Sequence, residues 1–112
     1  MKHGILIDYE WCTGCHSCEF ACRKEHGLAD DMWGIKINEV GPFKLSTGKW
    51  QYAYIPFPTD DCDLCAERVG AGKKPACVHH CQADCMRFGT LDELQERLAQ
   101  KPRQVLFNVA DL

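Results

Sequence analysis

Cys12-Thr13-Gly14-Cys15-His16-Ser17-Cys18-Glu19-Phe20-Ala21-Cys22 is the stretch that decides how this 112-residue chain is read. Three thiols at three-residue steps in one loop can point inward around a single compact centre. The fourth, Cys22, lies one helical turn beyond Cys18 and is swung away from that centre. A second group follows further along, at Cys62, Cys65, Cys77 and Cys81, with an 11-residue spacer between its second and third members. Taken alone, a CxxC followed by a CxxxC also fits one tetrahedral zinc ion. Beside the first run it completes two sets of three thiols plus one.

The 2-2-3 spacing of the first group resembles the ligand run of bacterial-type [4Fe–4S] ferredoxins, in which the outlying cysteine serves the other cluster. Soft thiolates are the fitting donors for iron–sulfur cores. On that resemblance cluster one takes Cys12, Cys15, Cys18 and Cys81, and cluster two takes Cys62, Cys65, Cys77 and Cys22. More narrowly, the chain is similar to iron–sulfur electron-transfer subunits of bacterial oxidoreductases. The stretches that carry this are 8–22 (DYEWCTGCHSCEFAC), 62–65 (CDLC), 75–81 (PACVHHC) and Phe88-Gly89. The best-known members serve molybdenum or tungsten bis-pterin enzymes of the dimethyl-sulfoxide-reductase and transhydroxylase type.

The resemblance implies two [4Fe–4S] clusters in a non-catalytic subunit. It would relay single electrons to or from a catalytic oxidoreductase subunit (a molybdenum/tungsten-pterin or flavin enzyme), with a further donor or acceptor on its other side. Three departures stand out. Arg23 and Gln82 follow the fourth ligands where ferredoxins carry proline, which removes a rigid turn but no donor. The larger family members hold four clusters on sixteen cysteines, whereas this chain has ligands for two. Cys85 stands where the family has alanine, and is read as a small buried residue.

The rest of the chain reads as α+β, a dicluster ferredoxin-like unit with pseudo-two-fold halves, an inserted β-hairpin and a C-terminal helix-strand extension. A strand opens it at Gly4–Asp8, and residues 18–25 form a short helix closed by Gly27. Alternation at 33–40 and 49–55 marks two strands of a hairpin turning at Ser46-Thr47-Gly48, with Pro56 and Pro58 expected to stop the second. Met86–Gly89 reads as a strand. Thr90-Leu91-Asp92-Glu93 is a capping box for a helix to about Gln100, and 104–109 is a final strand. The whole of 1–112 is expected to be one domain, with the hairpin insertion at about 33–57 and the extension at about 90–112.

Composition narrows the classes. Leu, Ile, Val and Phe total 24 residues, a thin aliphatic set for which a metal staple is the ordinary remedy. Nine cysteines leave one over in any complete disulfide set. The first apolar run, Ile5-Leu6-Ile7, is too short for a secretory segment, so the expected compartment is the cytoplasm, where disulfides are disfavoured. No stretch approaches the ~18 apolar residues of a membrane span. A formal charge of −3 argues against nucleic-acid binding. Two thiolate-held cubanes would take the charge to roughly −7.

Two other readings compete: a free soluble low-potential ferredoxin, and a zinc-stabilised interaction module. His16, His79 and His80 are not needed as ligands beside eight thiols. Trp11 is expected to be a lid over the first loop, and the Trp50-Tyr52-Tyr54 stripe a packing or interface face.

Overall fold

The computed structural model describes residues 2–111, which run β1 (Lys2–Asp8), α1 (Ser17–His26), β2 (Ile35–Lys44), β3 (Trp50–Pro58), α2 (Ala66–Gly70), α3 (Ala76–His80), β4 (Met86–Thr90), α4 (Leu91–Leu98) and β5 (Gln104–Asp111). The architecture is α+β. Strand β1 lies at the centre of a three-stranded antiparallel sheet, order β4-β1-β5. That position explains why Ile5, Leu6 and Ile7 are all buried rather than alternating: both faces of the strand are covered. Ile5 and Ile7 face the core that contains Cys18, Cys22 and Cys77. Leu6 points the other way, toward α4. Gly4 shares that face, and a Cβ on it would come within 2.9 Å of Leu91 Cδ2.

The capping signals act as the sequence implies. Thr90 Oγ1 accepts the Glu93 N–H at 3.3 Å, and Gly27 closes α1 in the left-handed conformation at φ 62°. Helix α4 ends at Leu98, two residues short of the expected Gln100. The turn after it brings Lys101 Nζ to 2.8 Å from both Asp8 carboxylate oxygens and 2.6 Å from Glu10 Oε1. The extension is thereby tied to the entrance of the first cysteine loop.

The hairpin corrects one expectation. Strand β3 does not stop at Pro56 but runs to Pro58, pairing Ile37 with Pro56 and Ile35 with Pro58. Both strands of a two-stranded ribbon are edges, where a missing N–H costs least. The inner end of the ribbon, at Ile35, Ile37 and Pro56, packs into the core, while Trp50, Tyr52 and Phe43 stay exposed at the outer end. Trp11 is 61% exposed, with Lys101 Nζ 5.8 Å from its ring centre.

Candidate metal centre

The nine thiols are free, and eight of them converge in two sets of four. Cys12, Cys15, Cys18 and Cys81 surround one cavity, closed by Ile37, Pro56 and Met86. Cys22, Cys62, Cys65 and Cys77 surround a second of about 80 Å³, walled by Ile5, Leu28 and Ile35. The first is nearly filled, at about 10 Å³, and Cys85 also lines it. Cys85 Sγ lies 3.5 Å from Cys81 Sγ.

Local backbone geometry aims these side chains. Cys18 opens α1 toward the first cavity, and Cys22, one turn later, faces the second. In the CxxC at 62–65, Leu64 and Cys65 take left-handed φ values of 59° and 51°, which curl the loop around its own thiols. Gly14 takes φ 71° in the first loop, and a Cβ there would meet the Tyr54 ring at 2.8 Å. Tyr54, read as part of an aromatic stripe, is thus the wall of that loop, while its stripe partners Trp50 and Tyr52 are exposed. Gly34 leaves room of another kind: a Cβ there would lie 2.3 Å from Cys22 Sγ.

Backbone N–H groups lie beside sulfurs in both places and favour their thiolate form: those of Gly14 near Cys12, Ser17 near Cys15, and Ala83, Asp84 and Cys85 near Cys81. In the second set the Leu64 N–H donates to Cys62 Sγ at 3.4 Å, and those of Ile35 and Ala76 lie near Cys22 and Cys65. Such donors stabilise anionic sulfur, and a thiolate is the form that binds metal. Four convergent sulfurs around a closed space, with N–H groups directed at them, fit a thiolate-held iron–sulfur group.

The two sets differ electrostatically. In the first, the neighbouring Cys85 thiol and the N–H groups above draw Cys12 down to about 7 and Cys81 to about 5. The Ser17 hydroxyl and N–H lower Cys15 as well. Cys18 goes the other way, pushed up to about 12 by burial and then by the neighbouring Glu19. In the second set burial dominates everywhere. Cys22 rises to about 11, Cys62 and Cys65 rise, and Cys77 rises well above the ordinary thiol value.

Two further residues join the sites, and the reading of the sequence passed over both. Glu19 is buried, accepts the Ile37 N–H through Oε2 and pairs through Oε1 with His16 Nδ1. His26 Nε2 lies 3.1 Å from Cys65 Sγ. His79 and His80 are exposed and stack edge-to-face on each other. No residue pattern marks His26, because its partner is 39 positions away.

The sequence has relatives among subunits of known reductases. The B subunit of polysulfide reductase from Wolinella succinogenes is 22% identical over 162 residues, covering 90% of this chain and 85% of its own length. The B subunit of anaerobic dimethyl sulfoxide reductase from Escherichia coli is 30% identical over 93 residues, 83% of this chain and 34% of its own length. This chain is a relative of iron–sulfur electron-transfer subunits. A third such subunit, the thiosulfate reductase electron transfer subunit of Salmonella typhi, is 30% identical over 104 residues, 89% of this chain and 42% of its own length. The chain therefore spans most of the first relative but less than half of the other two electron-transfer subunits. No family model matches it. Among the described residues no helix is long and apolar enough to cross a membrane.

Proposed function

We propose that this chain is a non-catalytic relay that carries single electrons, by way of two [4Fe–4S] clusters, to or from the catalytic subunit of a reductase complex. The observation that carries the reading is the sorting of eight thiols into two cavities, three from one run and one from the other in each. Cys12, Cys15, Cys18 and Cys81 would hold one cluster, and Cys62, Cys65, Cys77 and Cys22 the other. When bound, a cubane with four thiolates supplies a reversible one-electron change and offers no open iron position to a substrate.

The chain's own residues supply the surroundings. Ile5, Ile35, Ile37, Met86 and Leu64 keep water from the sulfurs, and the directed N–H groups offset the negative charge. Because α1 carries a ligand for each site, Cys18 and Cys22, the two centres must be near neighbours, as an electron hop requires. We take residues 1–112 as one unit with two-fold-related halves that exchange their outlying cysteines. The names of the relatives support a place in a reductase complex, and we take the catalytic partner to be a molybdenum or tungsten bis-pterin or flavin enzyme, with a further electron donor or acceptor on the other side. Eight reduced thiols suit a reducing compartment such as the cytoplasm.

The test is anaerobic purification of the native protein, with iron, acid-labile sulfide and copurifying chains measured together. About eight iron and eight sulfide per chain, with a large oxidoreductase subunit in the same complex, is the expected result. Zinc without labile sulfide would overturn it in favour of a structural module. A fully loaded chain with no partner would leave a free ferredoxin-like carrier.

A further inference from the structure

Among the described residues, one side chain brings a ring nitrogen to a sulfur of the second cavity. His26 stands in the last turn of α1, four residues after Cys22, and lines the same cavity as Cys22. Its ring crosses to the 62–65 loop and sets Nε2 3.1 Å from Cys65 Sγ. The side chain is 30% exposed at the cavity mouth. Asp63 Oδ1, which caps the Cys65 N–H at 2.9 Å, lies 3.9 Å from the same nitrogen. A metal-bound thiolate has no proton to give, so at this contact the imidazole must be the donor.

In the first site the histidine, His16, turns instead to the buried Glu19 carboxylate. Other donors to second-site sulfurs among the described residues are the backbone N–H groups of Ile35, Leu64 and Ala76, which a side-chain substitution leaves in place.

Resting on the iron–sulfur reading above, we propose that His26 is a positioning residue that donates Nε2–H to Cys65 Sγ and so raises the reduction potential of the cluster held by Cys22, Cys62, Cys65 and Cys77. Reduction adds one negative charge, spread over the cluster and its ligand sulfurs. An N–H aimed at one of those sulfurs stabilises the reduced form more than the oxidised form. The effect is local, because no contact carries the imidazole to a first-site sulfur.

Methionine and glutamine have similar size, but only glutamine carries an N–H to donate. The test is therefore an anaerobic redox titration, followed by electron paramagnetic resonance, of the full chain and of its His26→Met and His26→Gln variants. His26→Leu serves as a second donor-less variant should His26→Met not hold both clusters. The donor-less variant should lower the midpoint of one cluster, the one that Cys22→Ser perturbs, and leave the other where it was. His26→Gln should recover most of that shift. Unchanged midpoints in the donor-less variant would overturn the role of His26, as would an equal fall in both clusters or a His26→Gln value no closer to wild type. A wild-type chain without iron and labile sulfide would overturn the underlying function instead, and the two failures are told apart by that metal count.

Discussion

Ile37 donates its backbone N–H to Glu19 Oε2 at 2.7 Å, inside the core, and this bond fastens the ribbon to helix α1. Glu19 is 3% exposed and adjoins Cys18, so the carboxylate ties the wall of the first cavity to the helix that supplies ligands to both. A carboxylate in such a place is retained only when its oxygens are satisfied, and here His16 and Ile37 satisfy them.

Removing that acceptor strands the Ile37 N–H. Glu19→Ala should therefore cost about 1–3 kcal/mol of stability, the usual penalty for a buried unpaired donor. Glu19→Gln keeps an oxygen for Ile37 and should lose less. Denaturant unfolding of the anaerobic, metal-loaded protein measures the difference. Equal losses for both variants would show that the bond is incidental.

Two glycines separate the sites. Gly14 combines φ 71° with a Tyr54 ring 2.8 Å from where a Cβ would sit, and Gly34 has Cys22 Sγ at 2.3 Å. Gly14→Ala should disturb the first site and spare the second, and Gly34→Ala the reverse, because the first strains the Cys12–Cys18 loop against Tyr54 and the second displaces the Cys22 thiol. In each variant iron content should fall by up to about half, one of two clusters. Electron paramagnetic resonance of the reduced protein should show one altered signal. Loss of both signals from either glycine would mean that the sites do not load independently.

The thiols also predict an order of loading. A thiol must shed its proton to bind metal, so a site whose thiols titrate above the working pH releases protons on loading and strengthens as pH rises. All four second-site thiols are raised by burial, with Cys22 at about 11. In the first site Cys81 at about 5 and Cys12 at about 7 are wholly or partly thiolate at neutral pH, and Cys18 at about 12 is the exception. Between about pH 6 and 9, second-site loading should therefore climb more steeply than first-site loading, and acid should empty the second site first. Reconstitution across that range, with the two signals followed separately, checks the slopes. Parallel pH curves would contradict this assignment of charge.

Much of this is legible in the sequence, and the reasons are specific. Spacing places Cys22 one helical turn beyond Cys18, on the same face but about 6 Å further along the axis, and that offset carries it to the second cavity. Gly27 and Thr90 announce their caps because those signals are local. What escapes is set by tertiary packing. Pro56 and Pro58 look like strand breakers until the ribbon is seen to have two free edges. Glu19 looks like a solvated helix residue until β2 lies across it. His26 reads as the last residue before a glycine cap, and only the return of the chain at Asp63 and Cys65 gives it a partner.

The central claim is that each half of the chain lends one sulfur to the other half's cluster, and reciprocal substitution tests it most directly. Cys22→Ser should perturb the cluster on Cys62, Cys65 and Cys77, and Cys81→Ser the cluster on Cys12, Cys15 and Cys18. Each variant should leave the remaining signal intact in electron paramagnetic resonance of the dithionite-reduced protein. Finding instead that Cys22→Ser removes the cluster on Cys12, Cys15 and Cys18 while sparing the other would contradict the account.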